Sequence, residues 1–191
     1  MTELKGLDYA KEQTDKFHKA FGHQAADKPT LLTKEQVQTR VNFLAEELVE
    51  LLGAVAEDRT ELAGMVNSLT NAITAAETKQ IKAGFDVENR MVAIADALID
   101  LDVFIQGTFS MMGIQPQPLY DIVMNANMSK LGEDGKPIIR ESDGKIMKPE
   151  GWEAPEPKLK TEIERQLNEK ASQTVNINSS EYIIGIDVAK D

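Results

Sequence analysis

The segment of residues 87–112 constrains the fold most, because it is apolar on nearly every side and yet carries Asp96 and Asp100. If this segment is drawn as a helix, apolar residues cover most of its circumference. They are Met91, Val92, Ile94, Ala95, Leu98, Ile99, Leu101, Val103, Phe104 and Ile105. A helix that is apolar all round is expected to be buried. We therefore predict a central helix within a larger assembly of helices.

The remaining pattern also predicts helices, because aromatic residues make up only 5% of a chain that is 41% hydrophobic, and Leu, Ile, Val, Ala and Met must supply the core. Thr33 and Gln36 form a capping-box pattern, followed by apolar residues at alternating spacings of four and three. Other helices are predicted over about 7–21, 65–85, 119–130 and 158–172. Two short β-like runs around Asp143 and Gly144 indicate a hairpin or ordered loop. The fold class is all-α, a helical bundle with this small C-terminal element.

The domain organisation predicted from these patterns is a single domain over 1–172, followed by a polar linker and a strand-like tail over 173–191. The formal charge of −11 argues against binding to nucleic acid, since phosphate-backbone affinity needs Lys and Arg. No apolar run approaches the roughly 20 residues of a membrane span, so we expect a soluble cytoplasmic protein without a membrane partner.

Carboxylates are the main candidates for metal ligands, because the chain has no cysteine and only 2 histidines. Glu46, Glu47 and Glu50 lie within one helical turn of each other, and Asp96 and Asp100 share a face of the apolar helix. Buried carboxylates are costly unless a cation pairs with them. We therefore predict an oxygen-rich site for Mg²⁺, with Mn²⁺ as an alternative. The competing interpretation is that both sets lie on solvated helix faces.

A family resemblance rests on several separated motifs in order. The string from Arg40 to Glu50, Arg-Val-Asn-Phe-Leu-Ala-Glu-Glu-Leu-Val-Glu, and the string Asp96-Ala-Leu-Ile-Asp100 resemble the signature of the all-α nucleotide pyrophosphohydrolases. These include MazG, phosphoribosyl-ATP pyrophosphohydrolase and dimeric dUTPase. Phe-His-Lys-Ala-Phe-Gly upstream and Asn-Ala-Asn-Met-Ser-Lys downstream extend the match. One departure is that the usual Glu-x-x-Asp has Ala97 where Glu is expected, so the acidic partner moves to Asp96.

This resemblance implies attack of water on the α-phosphorus of a nucleoside triphosphate, with deoxynucleotides favoured, and release of pyrophosphate for cleansing of the nucleotide pool. It implies a homodimer or tetramer. The implied metal ligands are Glu46, Glu47, Glu50, Asp96 and Asp100, with Glu47 also the candidate water-activating base. The implied substrate contacts are Phe17, His18, Phe21, Asn127, Lys130, Lys145 and Lys148. The alternative function is a non-catalytic nucleotide-binding or helical dimerisation module of the same fold.

Overall fold

The protein is described by a computed structural model that covers residues 6–85, 87–142 and 146–169. This part of the chain forms helices α1 (Leu7–Ala20), α2 (Lys34–Gly53), α3 (Arg59–Ala83), α4 (Arg90–Met112), α5 (Pro116–Met128) and α6 (156–169). Strands β1 (Ile138–Ile139) and β2 (Ile146–Met147) pair antiparallel. The all-α prediction with a small hairpin is therefore confirmed.

The start of α2 follows the predicted capping box. The Thr33 hydroxyl accepts a hydrogen bond from the backbone N–H of Gln36 at 3.2 Å, and the Gln36 side-chain oxygen accepts one from the Thr33 N–H at 2.8 Å. Two backbone donors that a helix start leaves unpaired are thus satisfied.

Helices α3 and α5 begin earlier than predicted. Helix α3 starts at Arg59 rather than at about 65, because the Asp58 carboxylate accepts hydrogen bonds from the N–H groups of Thr60 and Glu61 at 2.7 and 2.9 Å. Helix α5 starts at Pro116 rather than at about 119, since proline fits the first helical position, where its missing N–H costs nothing.

The chain divides into two compact units. The inserted unit is Lys28–Leu101, and the terminal unit contains the described residues up to 27 and from 102 onward. In the terminal unit α1 packs against α5, where the Tyr120 hydroxyl donates to the carbonyl of Ala10 at 2.7 Å and the Tyr9 hydroxyl donates to Asp121 at 3.0 Å.

A buried glutamine fixes α6 to the beginning of α5. Gln166 is only 6% exposed, and its side chain accepts from the Gln115 N–H at 2.8 Å and donates to the Gln115 carbonyl at 3.0 Å. The same amide donates to the Glu162 carboxylate at 2.9 Å. Each polar atom of this buried side chain therefore has a partner.

In the inserted unit α2 packs against α3, and none of its described residues is buried. The expectation that the apolar helix is buried is wrong for a single chain, since Val92, Leu98 and Phe104 on α4 are 67%, 55% and 74% exposed. An apolar pattern does not distinguish burial within one chain from burial against another chain.

Two sequence predictions lie partly or wholly outside the described residues. The helix end predicted at about 172 and the strand-like tail predicted over 173–191 lie outside the described residues, so the predicted domain boundary stays a prediction. Among the helices that the structure describes, none is both long and apolar enough to cross a membrane.

Candidate functional site

The acidic residues predicted to bind metal lie in the inserted unit, on two different helices. Glu46, Glu47 and Glu50 are on the exposed surface of α2, and Asp96 and Asp100 are on the exposed surface of α4. Their helical spacing gives each set a common side of its helix, as predicted. All five carboxylates are therefore open to solvent in the single chain.

The two acidic sets do not form one pocket in a single chain. Within residues 6–85, 87–142 and 146–169, no three His, Cys, Asp or Glu side chains lie close enough together to hold one metal ion. Magnesium needs several oxygen ligands at about 2.1 Å in near-octahedral geometry. The described residues of one chain do not gather these carboxylates around one ion, and the predicted ligand roles stay predictions.

In the terminal unit, two lysines predicted to contact phosphate converge on one indole ring. The Lys148 ammonium lies 3.9 Å from the centroid of the Trp152 ring, and the Lys130 ammonium lies 5.7 Å from the same centroid. Cation–π attraction operates at these distances. We call these three residues the lysine cluster.

Hydrogen bonds fix the position of the lysine cluster. The indole N–H of Trp152 donates to the carbonyl of Ala126 at 3.0 Å, and the Lys130 ammonium donates to the side-chain oxygen of Asn127 at 2.8 Å. Asn127 thus positions a lysine in this structure. The end of α5 and the segment after β2 are both needed to build the cluster.

The electrostatics of the lysine cluster favour an anion. Burial lowers the pKa of Lys130 below its usual value, and the neighbouring positive charge of Lys148 lowers it further. Among the described residues, neither lysine forms an ion pair with a carboxylate. Two ammonium groups near one indole ring, without a carboxylate partner among the described residues, provide a local site for a polyanion such as a polyphosphate in a chain of charge −11.

A cleft of about 470 Å³ borders the lysine cluster within the terminal unit. Trp152 forms part of its wall, together with Ile122, Asn125, Ser129, Glu150 and Lys158. Small-molecule sites in proteins fall in this range of volume and combine apolar walls with a few polar groups.

A second aromatic group lies at the end of α1 in the terminal unit. The ring centroids of Phe17 and Phe21 are 4.5 Å apart, and the His23 ring lies 5.5 Å from the His18 ring and 6.2 Å from the Phe17 ring. Nδ1 of His18 donates to the carbonyl of Gln24 at 2.8 Å, which fixes the ring.

The members of this aromatic group differ in accessibility. Phe21 is only 7% exposed and packs inside the unit, whereas Phe17 and His18 are partly exposed. His23 was not among the predicted site residues, and its proximity follows from the turn that reverses the chain after α1. The contact of Phe17, His18 and Phe21 with the substrate stays a prediction.

Sequence spacing could not reveal the role of Trp152, because a single tryptophan carries no periodic signal. The structure places the ammonium groups of two candidate phosphate contacts 3.9 and 5.7 Å from the centroid of its ring. The other lysine predicted to contact phosphate, Lys145, lies outside the described residues.

Comparisons with known proteins bear on the fold and the family of the chain. The sequence profile of the phosphoribosyl-ATP pyrophosphohydrolase family matches residues 14–127. A crystal structure of a provisionally named NTP pyrophosphohydrolase from Exiguobacterium sp. 255-15 is similar at a TM-score of 0.80 and 40% sequence identity. The match covers 84% of this chain and 97% of the Exiguobacterium chain. No curated protein sequence matches significantly.

The helical fold and these two matches define the class, an all-α pyrophosphohydrolase. The family match spans more than half of the 191 residues, and the solved structure is similar over nearly its whole length. The chain belongs to the phosphoribosyl-ATP pyrophosphohydrolase family.

Proposed function

We propose that the protein hydrolyses a nucleoside triphosphate, in particular a deoxynucleoside triphosphate, to the monophosphate and pyrophosphate in a reaction that requires Mg²⁺. Mn²⁺ is the alternative ion. Water adds to the α-phosphorus, the bond from the α-phosphorus to the oxygen bridging the α- and β-phosphates breaks, and pyrophosphate leaves. The role proposed for this activity is removal of unwanted nucleotides from the pool.

The lysine cluster is the observation that carries the proposal. A triphosphate presents closely spaced negative charges, and Lys130 and Lys148 offer two ammonium groups that are not neutralised by a carboxylate in the described chain. Asn127 supports this by holding the Lys130 ammonium at 2.8 Å. We assign Lys145 to the same group of phosphate contacts.

The remaining roles are proposed from the resemblance of the sequence motifs to those of the family. We assign Glu46, Glu47, Glu50, Asp96 and Asp100 as metal ligands, and Glu47 as the base that accepts a proton from the attacking water. Phe17, His18 and Phe21 are assigned to the nucleobase side. A homodimer or a tetramer is the proposed assembly, because α2 and α4 leave large apolar side chains exposed.

The decisive experiment is a panel of canonical, deoxy and modified nucleoside triphosphates, assayed for pyrophosphate release with and without Mg²⁺. We expect release from at least one nucleotide, and none without a divalent ion. A protein that binds nucleotide and metal but releases no pyrophosphate across the panel would instead be a non-catalytic nucleotide-binding or dimerisation module.

Glu50→Gln tests the acidic residues directly. It should abolish pyrophosphate release, because a neutral amide oxygen binds Mg²⁺ more weakly than a carboxylate and does not offset the charge of the ion. Glu77→Gln is the matched control, since Glu77 is an exposed glutamate on α3 of the same unit and should leave activity unchanged. Circular dichroism checks that both variants keep their helices, and an active, folded Glu50→Gln would remove Glu50 from the metal site.

A further inference from the structure

The cleft of about 470 Å³ beside the lysine cluster has the wall of a small-molecule site. The wall comes from the end of α5 and from the chain between β2 and the start of α6, and both belong to the terminal unit. Its apolar part includes Ile122, Pro149 and Pro155, and Trp152 is the one aromatic residue among the described residues of the wall. One chain therefore supplies the whole of this described wall.

The indole of Trp152 is held in place beside the cleft. Its N–H donates to the carbonyl of Ala126 at 3.0 Å, and the Lys148 ammonium lies 3.9 Å from the ring centroid. Aromatic side chains that are fixed in this way stack on the planar rings of nucleobases. A ligand with a flat ring on one side and an anionic group on the other therefore matches the cleft and the lysine cluster together.

The charged groups in the wall of the cleft do not suit a phosphate. The Lys158 ammonium forms an ion pair with Glu153 at 3.0 Å, which compensates its charge. Glu150 has no cationic partner within the part of the chain that the structure describes. The described wall therefore carries an excess of negative charge, and a phosphate is better bound outside it, at the lysine cluster.

Two side chains of the wall remain available for hydrogen bonds to the edge of a ring. Neither Glu150 nor the side chain of Asn125 has a hydrogen-bond partner among residues 6–85, 87–142 and 146–169. A carboxylate only accepts hydrogen bonds, whereas an amide both donates and accepts them. The exocyclic amine of adenine, cytosine or guanine donates to a carboxylate, but the carbonyl of uracil or thymine offers no proton there.

We infer that the cleft binds a nucleobase that carries an exocyclic amine. The base stacks on Trp152 and its amine donates to Glu150, while the phosphates of the same nucleotide lie on Lys130 and Lys148. This inference rests on the proposed function, because the lysine cluster is assigned there to phosphate. It narrows the substrates to nucleotides of adenine, cytosine and guanine, and Asn125 is a second contact to the edge of the base.

The cleft is separate from the aromatic group at the end of α1. Phe17, His18 and Phe21 were assigned to the nucleobase side from sequence motifs, and the described wall of the cleft contains none of them. The two locations therefore respond to different substitutions. Glu150→Gln alters the cleft, and His18→Ala alters the aromatic group.

Pairs of nucleotides that differ in the amine test this inference. The probes are dCMP against dUMP and dAMP against dIMP, because uracil and hypoxanthine carry an oxygen where cytosine and adenine carry the amine. Monophosphates have no pyrophosphate to release, so binding is measured without turnover, in the presence of Mg²⁺. The emission of Trp152, the single tryptophan of the chain, and titration calorimetry both report it. We expect the amine-bearing member of at least one pair to bind about tenfold more tightly.

The base itself is tested with 2-deoxyribose 5-phosphate, which keeps the sugar and the phosphate but has no ring to stack. It should bind about tenfold more weakly than the preferred nucleotide and should change the emission of Trp152 less. A response to the sugar phosphate as large as the response to the nucleotide would place the base outside the cleft.

Glu150→Gln should remove the preference for the amine or reverse it, because the amide that replaces the carboxylate accepts more weakly and also donates to the carbonyl of uracil. Glu156→Gln is the matched control, since Glu156 is an exposed glutamate at the start of α6 and is not among the residues of the wall. The control should keep the preference of the wild type. Circular dichroism checks that both variants keep their helices.

The inference is overturned if dUMP and dIMP bind as tightly as their amine-bearing partners, if none of the four nucleotides binds, or if folded Glu150→Gln keeps the preference. A preference that His18→Ala removes and Glu150→Gln keeps would place the base at the aromatic group. Wild type that shows the preference but releases no pyrophosphate from any triphosphate refutes only the proposed function. Pyrophosphate release without a preference in either pair refutes only the inference.

Discussion

Replacing Lys148 with methionine separates the two effects of the lysine cluster. Lys148→Met keeps an unbranched side chain of similar length against Trp152, where sulfur–aromatic contact is favourable, but it removes one ammonium group. The variant therefore tests charge with little change in packing.

The first expected effect is weaker substrate binding. A hydrogen bond to a charged group contributes about 1.5–3 kcal/mol, and the exposed position of Lys148 places it at the low end. A loss of about 1.4 kcal/mol corresponds to a rise of about tenfold in KM. The kcat should change little if the lysine holds the phosphates equally in the ground state and the transition state.

The second expected effect is a shift in pH dependence. Above its pKa, Lys130 loses its proton and its attraction for phosphate, so KM should rise at alkaline pH. In the wild type the pKa of Lys130 is lowered, first by burial and then by Lys148. Removing Lys148 removes the second cause and raises this pKa, so the alkaline rise in KM should move to higher pH.

Steady-state pyrophosphate release between neutral and alkaline pH measures both effects. Lys160→Met is the matched control, because Lys160 is 78% exposed on α6 and its ammonium lies 4.0 Å from Glu164. The control should keep the wild-type KM and pH profile. An unchanged KM in Lys148→Met, or an alkaline rise that moves to lower pH, would refute the assignment of the cluster to phosphate.

Three further predictions follow from the terminal unit. Gln166→Leu leaves the backbone N–H and carbonyl of Gln115 without their partner. This should lower the free energy of unfolding by roughly 2–4 kcal/mol and the melting temperature by about 5–12 °C. A drop in melting temperature under about 2 °C would contradict this prediction. Pyrophosphate should alter the fluorescence of Trp152, the single tryptophan, and emission that does not change at saturation would contradict the lysine cluster. Arg165 lowers the pKa of Glu162 to about 2. The stabilisation that this ion pair gives the folded state is therefore present above about pH 4.5 and is lost as pH falls toward 2. The difference in melting temperature between wild type and Arg165→Met should shrink as pH falls from about 4.5 toward 2. A difference that stays constant would contradict a stabilising ion pair between Arg165 and Glu162.

Local features of the fold could be predicted from sequence because their signals are local. The capping box at Thr33 and the Asp143-Gly144 pattern between two apolar pairs each occupy a few adjacent residues. The structure begins a helix at the capping box and pairs β1 with β2 on either side of the Asp-Gly pattern. The cap at Asp58 was missed, because the residues after it include a glycine and polar residues that weaken the apolar period. Helix ends depend on single side chains more than on the pattern inside the helix.

The sequence could indicate which residues belong to the candidate site, but not how the fold places them relative to one another. The β1–β2 hairpin separates Lys130 from Lys148 in the sequence. Only the fold shows that both ammonium groups lie near the indole ring of Trp152. The resemblance named Phe17 and Phe21 as substrate contacts, and the structure brings the centroids of their rings to 4.5 Å from each other. The burial of Phe21 depends on packing beyond α1, which no spacing within α1 reveals.

The exposed apolar surface of α4 bears on how the protein associates. Its sequence predicts burial on nearly all sides, and a single chain leaves it largely exposed. If a second copy covers it, as in the proposed homodimer, the exposed apolar side chains of α4 contribute to association. Replacing Leu98, which is 55% exposed, with serine should therefore raise the protein concentration at which dimers dissociate on dilution. Dimers that dissociate at the wild-type concentration would show that this side of α4 does not contact a second copy.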